Sequence, residues 1–341
     1  MQHFFLFLFH FLLMDALFSG NPFFIDFPPK KDLSTSDYIE VQRSLRSVEI
    51  YDTLRSLHKT IPGRALDPKA NYGINDFYGR CSRGIYQNLL DENRRYIPQK
   101  TFVQIGIGGE ENCVVCFASY NSRYPQCVLS MEKALKKVGY NGKMLYYLGG
   151  WPNPTGEEIT FCAIPYSFKI FAMYEAYLLG CKNVLWLDAA CLPLRDPQPV
   201  FDHIERTGGV FHRFKIPPFF FKSIFPSTRE ELFKLTGTDL LDRDTDYILT
   251  TIFGLRMDRP EIKKFLEQYY DMARRGTPFL SCSPEEAVIT AIMGQPEFDS
   301  IRTFGLFRKG LGKSPNHAPD SPKEYEAARK KGYYFFHRKN R

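Results

Sequence analysis

From about residue 101 onward, short apolar runs alternate with longer segments in which apolar residues recur at helical spacing. The runs "CVVCFASY", "KMLYYL" and "NVLWL" predict strands, starting at Cys113, Lys143 and Asn183. The segments between them, "PQCVLSMEKALKKVG" and "SFKIFAMYEAYLLGC", predict helices. Strands and helices in alternation indicate an α/β fold, with a mostly parallel central sheet flanked by helices.

The pattern also divides the chain into three parts. Residues 101–341 form the predicted α/β domain, and residues 21–100 form an extension of mainly helical or irregular character. Residues 1–20 open with an apolar run that is shorter than the roughly 20 residues of a membrane span, and Ser19 and Gly20 follow it. We expect a secretory signal peptide there. An uncleaved signal-anchor and a buried segment are the alternatives, so the chain is expected to be exported or membrane-associated.

The charge and the cysteine content indicate which classes of ligand the protein can bind. The formal net charge is +7 and the basic residues are scattered, which argues against a nucleic-acid partner and suits small anionic ligands. Eight cysteines are present, and Cys113 and Cys116 have the spacing of a redox or zinc motif. No second pair of cysteines or histidines supplies further ligands, so we interpret them as core thiols.

The segment "VLWLDAACLPLRDP" carries the most informative carboxylate. Its apolar half is typical of a buried parallel strand, and Asp188 stands directly after it. Ligands of open α/β sheets bind at the carboxyl ends of the strands. Asp188 is therefore predicted to accept hydrogen bonds from a ribose or to hold a cation beside a diphosphate.

The order of elements from about residue 112 to residue 300 resembles a GT-A type glycosyltransferase that uses a nucleotide-diphospho-sugar donor. The similar pieces are "VVCFASYNSRYPQCVLSMEKAL", "FKIFAMYEAYLLGCKNVLWLDAACLPLRDP", "YILTTIFGLRMDRPEIKKFLEQYYDMA" and "SPEEAVITAI". In that family the central strand usually ends in Asp-x-Asp, which binds Mn²⁺ or Mg²⁺. Here Asp188 matches the first acid, but Ala190 stands in the place of the second, so the motif is degenerate.

The loss of this oxygen ligand leaves three interpretations open: a metal-independent enzyme, a Mn²⁺ or Mg²⁺ ion held by another acid, or an inactive relative. The cofactor is accordingly unknown. In a metal-independent enzyme, cationic side chains must stabilise the leaving diphosphate. The candidate donor-binding residues are Asp188, Arg123, Lys169, Arg195, Thr251, Gly254 and His337. Structural alternatives are a loop cap for Asp188, a solvated charge for Lys169, a surface histidine for His337 and ordinary strand residues for Thr251 and Gly254.

Two glutamates are candidates for the catalytic base. Glu285 and Glu286 open the helical segment "PEEAVITAI", and either could take the proton of an acceptor hydroxyl in an inverting transferase. The structural alternative is a capping box formed by Ser283 and Glu286. The sequence does not distinguish inversion from retention.

The predicted function is transfer of a sugar from a nucleotide-diphosphate donor to a glycan, protein or lipid acceptor. A non-catalytic relative that binds nucleotide sugars or carbohydrates is one alternative. A methyltransferase dependent on S-adenosylmethionine is another, because Gly106, Gly108 and Gly109 follow a strand. A second strand rather than a helix comes next, so we interpret these glycines as a hairpin turn.

Overall fold

The computed structural model describes residues 99–118, 124–148, 166–214, 226–242, 244–275, 277–279, 284–301 and 322–337. The predicted signal segment, nearly all of the helical extension, Arg123 and Ser283 lie outside these residues. The described elements follow one another in the predicted alternation. The strands are β1 (Gln99–Ile105), β2 (Asn112–Ala118), β3 (Gly142–Leu148), β4 (Asn183–Leu187), β5 (Cys191–Pro193), β6 (Gly209–Phe214), β7 (Tyr247–Arg256) and β8 (Phe335–His337).

The helices lie mostly between these strands. They are α1 (Tyr124–Lys137), α2 (Phe168–Leu178), α3 (Gln198–Thr207), α4 (Pro226–Thr236), α5 (Pro260–Arg275), α6 (Pro284–Met293) and α7 (Pro322–Lys330), with short 3₁₀ turns at Thr277–Phe279 and Pro296–Ile301. Pro260 and Pro284 each occupy the first helical position, where a missing N–H costs nothing.

Six strands form the central sheet in the order β1-β3-β2-β4-β7-β6, while β5 and β8 form a separate antiparallel pair. Strand β2 is parallel to both β3 and β4, and β7 is antiparallel to β4 and β6. Strand β1 is antiparallel to β3. Four strands, β3, β2, β4 and β6, therefore run in one direction, which confirms the predicted mostly parallel sheet flanked by helices.

Helices cover both faces of the sheet. One core includes α1 and α3, where Val128, Met131 and Leu135 are buried as the helical spacing predicted. The other core includes α2, α5 and α6. Helix α2 is buried on all sides, from Phe168 to Tyr177, because α5 and α6 lie in the same core. The side chains at the start of α2 are therefore fixed by tight packing.

The "CVVC" segment forms part of strand β2. Cys113 lies in the core of α2, and Cys116 lies in the core of α1 on the opposite face of the sheet. Successive side chains of a strand alternate between faces, so a spacing of three residues cannot direct both thiols to one metal ion. All five cysteines among the described residues are buried thiols outside any disulfide, as core thiols are: Cys113, Cys116, Cys127, Cys181 and Cys191.

The prediction of a hairpin at Gly106–Gly109 is wrong. Strand β3 lies between β1 and β2 in the sheet, so the turn crosses the end of a strand instead of joining two paired neighbours. Gly109 has φ of 62° and a Cβ there would lie 2.0 Å from the carbonyl oxygen of Asn141. The glycines are thus explained by a turn that packs closely on the start of β3.

The described helices include none that is both long enough and apolar enough to cross a membrane. The apolar run near the N-terminus lies outside the described residues, so export or membrane association remains a prediction.

Candidate functional site

Asp188 lies at the carboxyl edge of the sheet, directly after β4. Its backbone N–H donates to the carbonyl of Thr251 at 3.0 Å, which fixes the residue against the neighbouring strand β7. Its carboxylate oxygen Oδ1 accepts a hydrogen bond of 2.8 Å from the indole Nε1 of Trp186. Trp186 and Asp188 are two residues apart, and positions two apart in a strand share one face. The carboxylate is therefore held in one orientation.

Lys169 links Asp188 to a second carboxylate. It extends from the first turn of α2, and its Nζ lies 3.1 Å from Oδ1 of Asp188 and 2.8 Å from Oε1 of Glu285. The same Nζ donates to the carbonyl oxygen and to the hydroxyl of Thr250, each at 3.2 Å. The residue is only 4% exposed. We call Lys169, Asp188 and Glu285 the ionic cluster.

The environment of Lys169 keeps its ammonium group charged. Burial disfavours the charge, but the carboxylates of Asp188 and Glu285 more than offset this effect and raise the pKa of Lys169 above its usual value. The ammonium also lies 5.5 Å from the ring centroid of Tyr166 and 5.6 Å from that of Trp186. Aromatic faces at these distances stabilise a cation further. The ammonium of Lys169 therefore stays charged at neutral pH between the side chains of Asp188 and Glu285.

The two candidate catalytic glutamates differ in accessibility. The side chain of Glu285 is 6% exposed and accepts a hydrogen bond of 2.6 Å from the hydroxyl of Thr250 in addition to the contact with Lys169. Glu286 is partly exposed; it accepts a hydrogen bond from the hydroxyl of Tyr247 and another, at 3.3 Å, from the backbone N–H of Thr250. Glu285 is thus a buried partner of Lys169, whereas Glu286 keeps partial access to solvent.

Tyr166 precedes α2 at the same edge and is the one non-glycine residue with positive φ, 64°, in the described part of the chain. Such a backbone conformation is unfavourable for a tyrosine and persists only where the surroundings enforce it. Burial raises the pKa of Tyr166 to about 12, and the negative charge of Glu285 adds to this effect. The phenol therefore stays protonated at neutral pH and can donate a hydrogen bond.

The described residues do not fit a divalent metal ion. The point between the carboxylates of Asp188 and Glu285 is taken by the ammonium of Lys169, within 3.1 Å of both. Ala190 is buried and offers no oxygen from its side chain. Among the described residues, no group of three or more histidines, cysteines or carboxylates is arranged to bind a metal. An ion here would have to displace Lys169 from two ion pairs.

The structure brings some of the predicted site residues together and separates others. Lys169, Asp188, Glu285 and Glu286 meet around Thr250, and the carbonyl of Thr251 bonds to Asp188. His337 lies in β8 and pairs with Cys191 of β5. Cys191 is three residues after Asp188 in the chain. Arg123 lies outside the described residues, so its predicted role is unchanged.

Arg195 and Gly254 lie away from the ionic cluster. Arg195 donates to the carbonyl of Gly332 at 3.2 Å and lines a cavity together with Lys137, the last residue of α1, and the described residues show no contact between it and the ionic cluster. Gly254 pairs with Leu185 inside the sheet, and a Cβ there would lie 2.3 Å from Cδ1 of Ile204 in α3. Close packing of a helix explains this glycine, so its predicted contact with the donor is not needed to account for it.

Sequence reasoning did not identify the aromatic residues of the site. Trp186, Tyr247 and Tyr166 all contact the charged groups, yet in the sequence they resemble ordinary core residues. The two-residue spacing from Trp186 to Asp188 was the available signal, because it places the indole N–H on the face of the carboxylate.

The sequence matches no family model and no curated protein. Solved structures resemble the chain only distantly. Core-mannan synthase A from Aspergillus fumigatus, in a Mn/GDP form, has a TM-score of 0.39 at 10% identity, with 62% of this chain and 79% of that chain covered. The galactosyltransferase LgtC, in complex with donor and acceptor sugar analogues, has a TM-score of 0.34 at 14% identity, with 67% and 87% covered. Mouse xyloside xylosyltransferase 1, in its apo form, has a TM-score of 0.34 at 10% identity, with 67% and 97% covered. Similarity this low carries no argument about the chemistry of this chain.

Proposed function

We propose that the protein is a glycosyltransferase that takes a sugar from a nucleotide-diphosphate donor and transfers it to a hydroxyl group without a divalent metal ion. One observation carries this proposal: a strand-end carboxylate, Asp188, is fixed by Trp186 and Lys169 at the carboxyl edge of a largely parallel sheet. This edge is where open α/β sheets bind their ligands.

Asp188 is suited to accept a hydrogen bond from a hydroxyl group of the donor. Its side chain is 30% exposed, and its oxygen Oδ1 is engaged by Trp186 and Lys169. No described residue donates to the other oxygen, Oδ2, so this atom can receive a ribose or sugar hydroxyl. A carboxylate held by two donors keeps one geometry, so a ligand that binds it need not order the side chain.

The diphosphate would bind at the same edge, where two helices begin. Helices α1 and α2 follow β2 and β3, and neither has an acidic residue in its first turn. Helix N-termini favour bound phosphate groups because their N–H groups are unpaired and the helix dipole is positive there. Arg123, immediately before α1, remains the predicted cationic partner. Lys169 is too deeply buried to contact a phosphate directly.

Independence from metal follows from the place of Lys169. Its single positive charge lies between two carboxylates that would otherwise both repel a diphosphate. A fixed ammonium therefore offsets part of the negative charge of the edge, as a bound cation would. Unlike a bound ion, it cannot be removed by a chelator.

In the chemical step, the acceptor hydroxyl attacks the anomeric carbon, the bond from this carbon to the diphosphate oxygen breaks, and the hydroxyl proton passes to a base. Glu286 is the better candidate base because it is partly exposed, whereas Glu285 is enclosed by Lys169 and Thr250. We assign Glu285 to positioning Lys169. A step of this kind inverts the anomeric centre.

The test is calorimetric titration of UDP and GDP into the full-length protein, with Mn²⁺ and with chelator. Binding is expected under both conditions. Asp188→Ala should weaken it by about 1.5–3 kcal/mol, the range for a lost hydrogen bond to a charged group, or roughly tenfold to a hundredfold in dissociation constant. Ala190→Asp should make binding depend more on Mn²⁺.

Two results would contradict this assignment. Loss of wild-type binding on chelation would mean that another acid holds a metal ion, and unchanged affinity in Asp188→Ala would make the carboxylate purely structural. Turnover of nucleotide sugars, followed by release of the nucleotide, separates an enzyme from a non-catalytic relative that only binds. Binding of S-adenosylmethionine would favour a methyltransferase, which the turn at Gly106–Gly109 does not support because no helix follows it.

The proposed acceptor is a hydroxyl group of a glycan, a protein or a lipid. Export or membrane association is proposed from the N-terminal apolar run and is tested by N-terminal sequencing and fractionation of the expressed protein.

A further inference from the structure

A cavity of about 960 Å³ lies between α1, β5 and α7. Five basic residues line it, Lys133, Lys137, Arg195, Arg329 and Lys330, and Glu326 is the one acidic residue in the lining. Its remaining lining is largely apolar and includes Leu192, Leu194 and Tyr325. We call this feature the basic cavity.

The basic cavity is separate from the ionic cluster. Helix α1 begins at the carboxyl edge of the sheet, and Lys137 is its last residue. A helix of this length carries the chain about 20 Å, which places Lys137 toward the opposite edge. Arg195 lines the cavity with Lys137, and Gln198, three residues further along the chain, accepts a hydrogen bond of 3.3 Å from Asn112 at the start of β2. A ligand in the basic cavity would therefore not contact Asp188.

Most of the basic side chains in the cavity form no ion pair with the described residues. In the described part of the chain, Lys133, Lys137 and Lys330 have no hydrogen-bond or ion-pair partner, and all three are exposed. Arg329 is paired with Glu326 at 3.3 Å. Arg195 is held in place, because it donates to the carbonyl of Gly332 at 3.2 Å and lies 5.1 Å from the ring centroid of Tyr334.

Helix dipoles do not account for the whole set. Lys137, Arg329 and Lys330 lie in the last turns of α1 and α7, where cations are favourable. Each helix end contributes a negative charge equivalent to about half an elementary charge. Against five cations and one carboxylate, two helix ends leave a net charge of about +3 in the cavity. This excess is large enough to attract a multivalent anion.

We propose that the basic cavity binds a ligand with several phosphate groups, either a free polyphosphate compound or the phosphorylated headgroup of a lipid. The concave shape suits a discrete headgroup, and the flexible side chains of exposed lysines can adapt to phosphates at different spacings. The apolar lining fits the carbon skeleton between the phosphates. This site is additional to the donor site of the proposed transferase and does not depend on it.

The first arm of the test uses inorganic tripolyphosphate, titrated calorimetrically into the full-length protein at low and at physiological salt. Lys137→Gln and Lys330→Gln should each weaken binding by about three- to tenfold, and the affinity should fall with salt because exposed charges are screened. The matched control is Lys136→Gln. Lys136 is also exposed and also lies at the end of α1, but it pairs with Glu132 and does not line the cavity. This variant should bind tripolyphosphate as the wild type does.

The second arm distinguishes the two sources of phosphate. Cosedimentation with phosphatidylcholine vesicles, with and without phosphatidylinositol bisphosphate, is compared for the wild type and the triple variant Lys133→Gln, Lys137→Gln, Lys330→Gln. Phosphoinositide-dependent binding that the triple variant loses identifies a lipid headgroup, and tripolyphosphate binding without it identifies a free ligand. All variants keep the same N-terminal run, so its own affinity for vesicles cancels.

Three outcomes would overturn the proposal: no tripolyphosphate binding at low salt, an equal loss in Lys136→Gln, or loss of tripolyphosphate binding in Asp188→Ala. The last outcome would place the probe at the donor edge. Conversely, unchanged UDP and GDP affinity in the triple variant separates this site from the donor site. Circular dichroism verifies that every variant is folded.

Discussion

Removal of the charge at Lys169 tests the ionic cluster most directly. The substitution Lys169→Met keeps most of the volume of the side chain but leaves the carboxylates of Asp188 and Glu285 without their shared cation. Truncation of one partner of a buried ion pair costs about 3–5 kcal/mol, because the remaining charge is desolvated and unpaired. We therefore expect a large loss in the free energy of unfolding.

The geometry places the expected loss at the lower end of that range, about 3 kcal/mol. Asp188 is 30% exposed and keeps its bond from Trp186, so water solvates part of its charge. Glu285 is only 6% exposed and keeps one donor, the hydroxyl of Thr250. Most of the loss should therefore arise at Glu285, and the double variant Lys169→Met, Glu285→Met should recover much of it.

Urea unfolding at equilibrium measures these differences through the transition midpoint at constant slope. The matched control is Lys136→Met, which breaks an exposed pair with Glu132 and should cost no more than about 1 kcal/mol. If Lys169→Met lies within 1 kcal/mol of the wild type, or if the double variant is less stable than the single one, the description of a buried cation shared by two carboxylates is wrong.

Three further predictions concern other parts of the structure. Gly254→Ala should lower the stability measured by thermal unfolding by about 1–3 kcal/mol, because its Cβ would lie 2.3 Å from Cδ1 of Ile204. Ile204→Val in the same chain should restore part of the loss. An unchanged stability of Gly254→Ala would contradict the close approach. Burial lowers the pKa of His212 to about 4. The unfolded chain therefore takes up a proton at a higher pH than the folded chain, and the free energy of unfolding should fall by about 1–2 kcal/mol as the pH drops from about 6.5 to 4. This loss is smaller than the full change in pKa would give, because the ring is partly exposed to solvent. The variant His212→Gln should show a weaker pH dependence in urea unfolding. Glu286→Gln should abolish nucleotide-sugar turnover but leave UDP and GDP affinity unchanged; full turnover would exclude it as the base.

The order of elements was predictable because local patterns determine it. The apolar run before Asp188 is long enough for a buried strand, and the spacing of Val128, Met131 and Leu135 defines the inner face of α1. The insertion of β3 between β1 and β2 in the sheet was not predictable. A glycine-rich turn has the same sequence pattern whether the two strands it joins are paired or have another strand between them. Strand pairing depends on the whole sheet and not on the turn alone.

The candidate site was predictable in part for the same reason. Asp188 follows a strand, and the carboxyl edge of a sheet is a general place for ligands, so position alone identified it. The partnership of Lys169 with Glu285 joins residues more than a hundred positions apart and depends on how α2 and α6 pack on β7. The hydrogen bond from Arg195 to the carbonyl of Gly332 was not predictable either, because it joins residues far apart in the chain.

The contrast between a lysine and a divalent ion at this edge has a consequence for donor recognition. In the proposed transferase, Lys169 offsets only part of the negative charge of the two carboxylates. We therefore expect Asp188 to bind hydroxyl groups and the phosphate groups of the donor to bind elsewhere, at the starts of α1 and α2. A divalent ion would instead hold carboxylate and phosphate together at one point. Because the raised pKa of Lys169 keeps its charge constant across the neutral range, donor affinity should be insensitive to both chelators and moderate changes of pH. Under this proposal the carboxylate binds hydroxyl groups and the helix starts bind phosphate groups, because the ammonium of Lys169 is fixed between the carboxylates and cannot bridge them to the donor as an exchangeable ion would.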